Sequence, residues 1–562
     1  MRKWKEDFLF LCRNKAYIWL LSLTAVFSYG FLVTHQTVGI DDTPYDYYFN
    51  QGLNAIVGRW FLFLLNKIFR ISDFTPFLTD LAGVLVLMAA ATVWCTLLYS
   101  VCRDRVSIWG YLFFSCIFLS CPLISEVYTY YLHNGVSIGY LFTGVSLCFF
   151  RELAQRRSDR KKLWIPGIGT TVFLFMALGC YESFMMVWLL GVFLVLLTER
   201  YAGIRSKVVP ALCAGAVAAV AAILLRSLMI AAVTGIFGLG DMRDEAVQRS
   251  VTEMVGWMFG PDAAADFAMV LKRMFVQYGV FGYAYYPIKV FVLAAVVMMV
   301  FGLYRSIRQK DVRCILLTFG SFFSAFLLVV VEGRATLYRS AQFLPVICGY
   351  GAFLVAYAAS GLKNTSPQGG VVGRRRLWRN KLCSGAAVFV LSVVLWNQCF
   401  EMNKWFYVDY LKYEDAKDVL GQVSQRLERD FDCSKPVVFT GSYWPPYGIV
   451  QDAYVNYNSP TFFRMKRITD LVDEYLLSKF YRQSYGVWVA QTPALSVIDW
   501  GFNAFENDAE LVRFFDMHGY ARLLANMDSA LYETAQMCSV DLPSFPAEGS
   551  IVDMGEYIIV HF

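Results

Sequence analysis

Two adjacent carboxylates, Asp41 and Asp42, stand directly after the first apolar run of the sequence. Like charges this close together raise the pKa of one carboxyl group, which makes it a candidate general base. A solvated loop or a helix N-cap explains the same pair equally well. The pair is therefore the first candidate for acid–base chemistry.

Arginines form a second candidate group. Arg334 and Arg339 lie in a short loop between two apolar runs, on the side where basic residues are otherwise few. A guanidinium in such a place indicates a phosphate, because its planar donors match phosphate oxygens. A lipid headgroup or an ion pair with Glu332 is the alternative. Arg226 lies within a long apolar run, where a charge costs about 3 kcal/mol unless it snorkels or pairs.

Three further ionisable residues, Glu126, His133 and Glu182, lie at ends of apolar runs on the same side as Asp41. Each alone is more typical of a polar cap than of a catalyst, so they are secondary candidates. Far downstream, Tyr443 and Trp444 open an aromatic loop, and aromatic faces stack on sugars. They are candidates for binding an acceptor, and a structural lid is the alternative.

The elements that must position these residues are apolar runs near twenty residues long, which suffice to cross a hydrocarbon layer of about 30 Å. Of 562 residues, 57% are hydrophobic and 17% are charged, and mean hydropathy is +0.47. A soluble domain carries roughly a quarter charged residues, so the composition excludes a purely soluble protein. The runs lie at about 17–34, 76–99, 106–124, 135–150, 163–181, 184–198, 208–233, 287–304, 314–331, 341–360 and 382–400.

Basic residues follow every second run, which predicts the topology. They cluster at 103–105, 151–162, 200–207, 305–313 and 363–381. The positive-inside rule then predicts a polytopic α-helical membrane protein of about eleven spans with its N-terminus in the cytoplasm. No small-x-small cleavage site follows the first run, so it is predicted to be retained. The net charge of +6 reports this topology, and nucleic-acid binding is not expected.

The last part of the chain is less apolar and predicts a separate unit. Helical periodicity appears at 409–429 and near 463–480 and 508–518, and strand patterns appear at 436–441, 487–489 and 557–560. We therefore expect a transmembrane domain over 1–400 and an extracytoplasmic α/β domain over 401–562. Within the first domain, the amphipathic stretch 53–70, which contains Arg59, is predicted to lie in the membrane interface.

The order of short motifs resembles a known family. The motifs are Ile40-Asp41-Asp42, Gly58-Arg59-Trp60, the hairpin Tyr181-Glu182-Ser183, the outer-loop arginine, Lys435-Pro436-Val437-Val438-Phe439-Thr440-Gly441 and Leu542-Pro543-Ser544-Phe545-Pro546. In this order they resemble the bacterial Gtr-type membrane glucosyltransferases of the GT-C class, which modify O-antigen and other surface polymers. The family typically has Tyr-Gln at the hairpin, so Glu182 departs from its pattern.

The resemblance implies a polyprenyl-phosphate donor of glucose or another hexose, and no nucleotide sugar. It implies a surface glycan or cell-envelope polymer as acceptor, at the outer face of the bacterial cytoplasmic membrane. Asp41 or Asp42 would be the general base, and Arg334, Arg339 and Arg59 would bind the donor phosphate. A divalent cation, Mg²⁺ or Mn²⁺, is a candidate cofactor. The alternative function is a transporter or flippase of lipid-linked sugar, although no internal repeat is visible.

Overall fold

The structure is a computed structural model. It describes residues 2–35, 52–69, 77–128, 133–155, 163–204, 207–239, 256–261, 263–265, 289–332, 340–361, 371–441, 443, 446, 448, 508–525 and 528–562.

Helices dominate the described part of the chain. In chain order they are α1 Arg2–Arg13, α2 Lys15–Thr34, α3 Gly52–Ile56, α4 Trp60–Phe69, α5 Leu78–Cys102, α6 Ile108–Leu119, α7 Leu123–Tyr128, α8 His133–Gln155, α9 Trp164–Cys180, α10 Phe184–Tyr201, α11 Val208–Ile236, α12 Lys289–Gln309, α13 Arg313–Ala325, α14 Leu327–Glu332, α15 Leu344–Gly361 and α16 Val371–Asp430. The C-terminal elements are β1 Pro436–Thr440, α17 Asp508–His518, β2 Leu524–Ala525, α18 Ser529–Ser539, β3 Ile551–Asp553 and β4 Ile558–His561.

Each of the eleven predicted runs overlaps at least one helix, and the run at 314–331 covers both α13 and α14. Within the described residues, seven helices are long and apolar enough to cross a membrane by length and composition. The other four runs coincide with shorter apolar segments, Ile108–Leu119, Trp164–Cys180, Arg313–Ala325 and Leu344–Ser360. The protein is therefore a polytopic membrane protein, and the total of eleven spans stays a prediction.

Ion pairs gather the basic residues at one end of the bundle, here called the basic end. Arg103 pairs with Asp7 at 3.0 Å, Arg151 with Glu199 at 3.3 Å and Arg200 with Asp311 at 3.5 Å. These pairs join α1 to the residue after α5, α8 to α10, and α10 to the turn before α13. Basic residues from loops far apart in sequence thus lie together, as the alternation of basic loops predicts.

At the opposite end of the bundle lie the ends of α2 and α6 and the predicted interfacial helix. There the hydroxyl of Tyr29, late in α2, donates to the carbonyl of Leu119 at the end of α6, at 2.7 Å. The predicted interfacial helix 53–70 forms, but as the two helices α3 and α4. Gly58 breaks it with a left-handed φ of 97°. Trp60 and Phe63 of α4 are buried in one cluster with Val233 of α11, so α4 packs on the bundle.

The C-terminal residues form a mixed sheet with helices on both faces. Its strand order is β2-β1-β4-β3, with β1 parallel to β2 and β4, and β3 antiparallel to β4. Because side chains alternate along a strand, Val437 and Phe439 pack on α16 and α17, whereas Val438 packs on α18. The predicted strand at 487–489 and helix at 463–480 lie outside the described residues.

One element links the membrane part to this sheet. The predicted span 382–400 and the predicted helix 409–429 are parts of α16, a single helix of 60 residues. Its Trp405, Phe406 and Val408 belong to the core of the bundle. A few residues later, Tyr413 and Ala416 belong to the core under the sheet. The predicted domain boundary at residue 400 therefore falls inside a continuous helix.

Candidate functional site

Arg59 is positioned by the turn that ends α3. The amide of Gly58 donates to the carbonyl of Ala55 at 3.1 Å, and the amide of Arg59 donates to the carbonyl of Asn54 at 2.8 Å. These two bonds and the left-handed Gly58 form a Schellman motif, which satisfies carbonyls that a helix leaves unpaired at its C-terminus. The motif fixes the backbone of Arg59 immediately before α4 begins.

The side chain of Arg59 lies on the hairpin between α9 and α10. Its guanidinium carbon is 4.4 Å from the centre of the Tyr181 ring, within the range of a cation–π contact. Tyr181 is 7% exposed, and its hydroxyl lies 3.5 Å from the hydroxyl of Ser340. The hairpin thus brings together the α3–α4 turn and the residues just before α15.

Arg226, the charge within an apolar run, reaches the same place from α11. Its Nε donates to the carbonyl of Leu178 at 3.3 Å, and its Nη2 donates to the carbonyl of Val57 at 3.4 Å. Both carbonyls lie at helix C-termini, where a cation is favourable. This explains how the membrane part accommodates Arg226. The two bonds use two of the five N–H donors of a guanidinium.

Gly58 allows Arg226 to approach. A Cβ atom at residue 58 would lie 1.9 Å from Nη2 of Arg226, which is far inside contact distance. The glycine therefore serves both the left-handed turn and the close approach of the guanidinium.

Glu182 completes a charged group that we call the arginine cluster: Arg59, Glu182 and Arg226. Glu182 is exposed at the tip of the hairpin, and both its charge and that of Arg59 act on Arg226. With two guanidinium groups and one carboxylate, the cluster is cationic and lies at the end of the bundle away from the basic end. The guanidinium groups of such a cluster can bind a phosphate or carboxylate.

The structure places the sequence-predicted residues unequally. It brings Arg59, Glu182 and Arg226 together. Asp41, Asp42, Arg334, Arg339 and Trp444 lie outside the described residues, so their predicted roles stay predictions. For Glu126 in α7 and His133 at the start of α8, only the backbone is described, and it lies at the same end of the bundle.

Tyr443, predicted to bind an acceptor, lies on the C-terminal sheet. Its ring centre is 6.3 Å from that of Phe562, and its side chain is hydrogen-bonded to Asp415 of α16. Tyr443 is therefore a partly buried residue next to the exposed strand end at Gly441.

Two buried polar residues near the hairpin were not predicted. Gln342 and Ser183 are each 1% exposed. Gln342 is an amide near the start of the apolar run at 341–360, which was its only sequence signal. Ser183 belongs to the quoted hairpin motif. Across the described residues, no group of three or more His, Cys, Asp or Glu side chains is arranged to hold a metal ion.

Comparison with known proteins assigns the chain to a family. No curated protein and no solved structure matches the chain. The family model described as Glucosyl transferase GtrII matches residues 30–356, which include every residue of the arginine cluster and more than half of the sequence. The chain therefore belongs to the GtrII glucosyl transferase family, and we identify it as a membrane glycosyltransferase.

Proposed function

We propose that this protein transfers a glucosyl group from a polyprenyl-phosphate donor to a glycan at the outer face of the bacterial cytoplasmic membrane, with a GT-C mechanism. The observation that carries the proposal is the convergence of Arg59 and Arg226 at the end of the bundle opposite the basic end. A polyprenyl chain keeps its phosphate at the membrane interface, and helix ends lie at that depth.

Arginine suits this phosphate for a physical reason. A donor lipid carries its sugar on a phosphodiester with one negative charge, and the departing polyprenyl phosphate carries about two. Guanidinium groups form paired hydrogen bonds with phosphate oxygens, and these strengthen as negative charge develops. Arg59 and Arg226 would therefore stabilise the leaving group more than the bound donor, which is what accelerates a reaction.

Arg339 and Arg334 belong to the same proposal. Ser340 is the residue after Arg339, and its hydroxyl contacts the hydroxyl of Tyr181. The ring of Tyr181 in turn makes a cation–π contact with Arg59. This adjacency in sequence supports Arg339 as a further phosphate ligand, with Arg334 a few residues before it.

The reaction also needs a base. An acceptor hydroxyl attacks the anomeric carbon, the bond from that carbon to the phosphate oxygen breaks, and the hydroxyl proton passes to a carboxylate. Polyprenyl phosphate leaves without a general acid, because phosphate is a good leaving group. Asp41 or Asp42 would take the proton. Both follow α2, whose last turn lies at the same end of the bundle as the arginine cluster. Tyr443 and Trp444 would contact the acceptor glycan.

The test uses purified protein in lipid vesicles with polyprenyl-phosphate-glucose and an acceptor glycan. We expect Arg226→Lys and Arg59→Lys to weaken donor binding about 10- to 100-fold, because each loses charge-assisted bonds that lysine cannot form in pairs. Arg308→Lys is the matched control, since Arg308 is exposed and bonded to Tyr304 at the basic end. Donor binding that is unchanged in both cluster variants would contradict the assignment.

The catalytic part is tested separately in the same vesicles. Asp41→Asn or Asp42→Asn should abolish transfer while donor binding persists. Normal turnover in both variants would remove the pair from the mechanism. Movement of the lipid donor across the bilayer without sugar transfer would instead support a flippase.

A further inference from the structure

The side-chain amide of Gln342 is buried and makes no hydrogen bond within the described part of the chain. It lies in the turn before α15, it is 1% exposed, and neither its Nε2 nor its Oε1 has a hydrogen-bond partner in the described part of the chain. A buried primary amide loses water at two donors and one acceptor, so burying it without partners is unfavourable. Native proteins rarely leave such groups unsatisfied. The amide therefore points to a partner that the chain does not supply.

A second unsatisfied group lies nearby. The backbone carbonyl of Gln342 accepts a 2.6 Å hydrogen bond from the hydroxyl of Tyr140, and the Tyr140 ring is 5.1 Å from that of Phe184. The residue before Phe184 is Ser183, whose buried hydroxyl also lacks a partner within the described residues. Residues 340–342 and the hairpin therefore each contribute a buried, uncharged and unsatisfied polar side chain.

Both segments are connected to the arginine cluster through one residue. Tyr181 forms this connection. Its hydroxyl lies 3.5 Å from that of Ser340, and the centre of its ring lies 4.4 Å from the guanidinium carbon of Arg59. The neutral amide of Gln342 and the neutral hydroxyl of Ser183 thus belong to residues two positions away from Ser340 and Tyr181, which lead to the cationic group. The phosphate of the donor would bind to the cations, and its polyprenyl chain would pack on an apolar surface. Neither part of the donor matches a neutral amide.

We propose that Gln342 hydrogen-bonds hydroxyl groups of the sugar carried by the donor, and that it determines which sugar is accepted. The inference rests on the proposed function. A sugar hydroxyl both donates and accepts, as a primary amide does, and the donor sugar is attached directly to the phosphate. A site built to bond a hydroxyl discriminates strongly against a ligand that lacks it, because its own polar groups are then left unpaired.

The test replaces Gln342 with methionine, which has a similar shape and no amide. Donors are polyprenyl-phosphate-glucose, the same lipid carrying singly deoxygenated glucoses, and polyprenyl phosphate without sugar. We expect Gln342→Met to reduce kcat/KM for the glucose donor about 10- to 100-fold and to leave binding of sugar-free polyprenyl phosphate unchanged. With the unmodified protein, one deoxy donor should have a kcat/KM lower than that of the glucose donor by the same factor. With Gln342→Met, that deoxy donor and the glucose donor should have nearly the same kcat/KM.

Gln398→Met is the matched control. Gln398 is also 1% exposed, but its Oε1 accepts from the hydroxyl of Ser120 at 3.0 Å. This variant should lower thermal stability and leave the preference among donors unchanged. Gln342→Met, by contrast, should not lower the unfolding temperature, because it removes an unsatisfied group.

Three outcomes would overturn the inference. Unchanged transfer by Gln342→Met would mean that the amide binds only water. An equal loss for all donors, including weaker binding of sugar-free lipid, would mean a structural role. If the variant fails to fold, the unmodified protein still decides, because equal use of all deoxy donors excludes recognition of a hydroxyl. Failure of the unmodified protein to transfer from any lipid donor would refute the proposed function, and this inference with it.

Discussion

Gly58 is the residue whose lack of a side chain lets the guanidinium of Arg226 approach the turn that carries Arg59. It holds a φ of 97°, and a Cβ there would lie 1.9 Å from Nη2 of Arg226. The sequence alone marks Arg226 as a costly charge in an apolar run, and the structure adds that it caps the helix ends at Leu178 and Val57. Such partners are distant in sequence, so no local pattern predicts them.

At this scale we predict the effect of Gly58→Ala against a control, Gly203→Ala. Gly203 also has a left-handed φ, 73°, but no atom within 4 Å of an added Cβ. Both variants should lose about 1–2 kcal/mol of stability from the backbone conformation. Only Gly58→Ala should also weaken donor binding, by about tenfold, because it displaces Arg226. Thermal unfolding and lipid-donor binding in detergent measure the two effects, and equal donor binding in the two variants would contradict the prediction.

At the scale of elements, apolar runs predicted helices well because a span near twenty residues is set by bilayer thickness. Two predictions about helix ends were incomplete for physical reasons. The interfacial stretch 53–70 breaks at Gly58, whose left-handed turn no hydropathy pattern reveals. Residues 401–408, between two predicted helices, continue the helix because Trp405, Phe406 and Val408 pack into the bundle.

The ion pair between α8 and α10 gives a prediction for stability. Glu199 is fully buried and accepts from Arg151 Nε at 3.3 Å and from Gln155 Nε2 at 2.6 Å. Arg151→Met would leave this carboxylate buried without its cation, which costs about 3–5 kcal/mol. Unfolding in mixed micelles measures the loss, and adding Glu199→Gln should restore much of it.

Arg429→Met is the control for that measurement. Arg429 pairs with Asp430 at 2.7 Å, but its side chain is 72% exposed. Its removal should change stability little, since water solvates both charges. Equal losses from Arg151→Met and Arg429→Met would show that burial of Glu199 does not govern the effect.

At the scale of the whole molecule, charge distribution predicts orientation. The basic end collects residues from several loops, and the C-terminal sheet continues from α16. We predict that Lys310 faces the cytoplasm and Glu548 faces outward in the bacterial cytoplasmic membrane. Both residues are exposed, so a single cysteine at either place is accessible to solvent.

The measurement uses a background without the native cysteines and an impermeant thiol reagent on intact spheroplasts. A cysteine at 548 should react at once, and a cysteine at 310 should react only after lysis. The reverse pattern would invert the proposed topology and place the arginine cluster in the cytoplasm.

The continuity of α16 sets a rule for insertions and deletions. The last bundle contacts of this helix, at Val408 and Leu411, are followed almost at once by Tyr413 in the core under the sheet. One added residue between them would rotate everything downstream by about 100° and shift it by about 1.5 Å. Seven added residues complete nearly two turns and restore the rotation. Insertions and deletions at this junction should therefore be tolerated only when they add or remove nearly whole helical turns. The length of α16 thus sets the rotation of the sheet relative to the bundle.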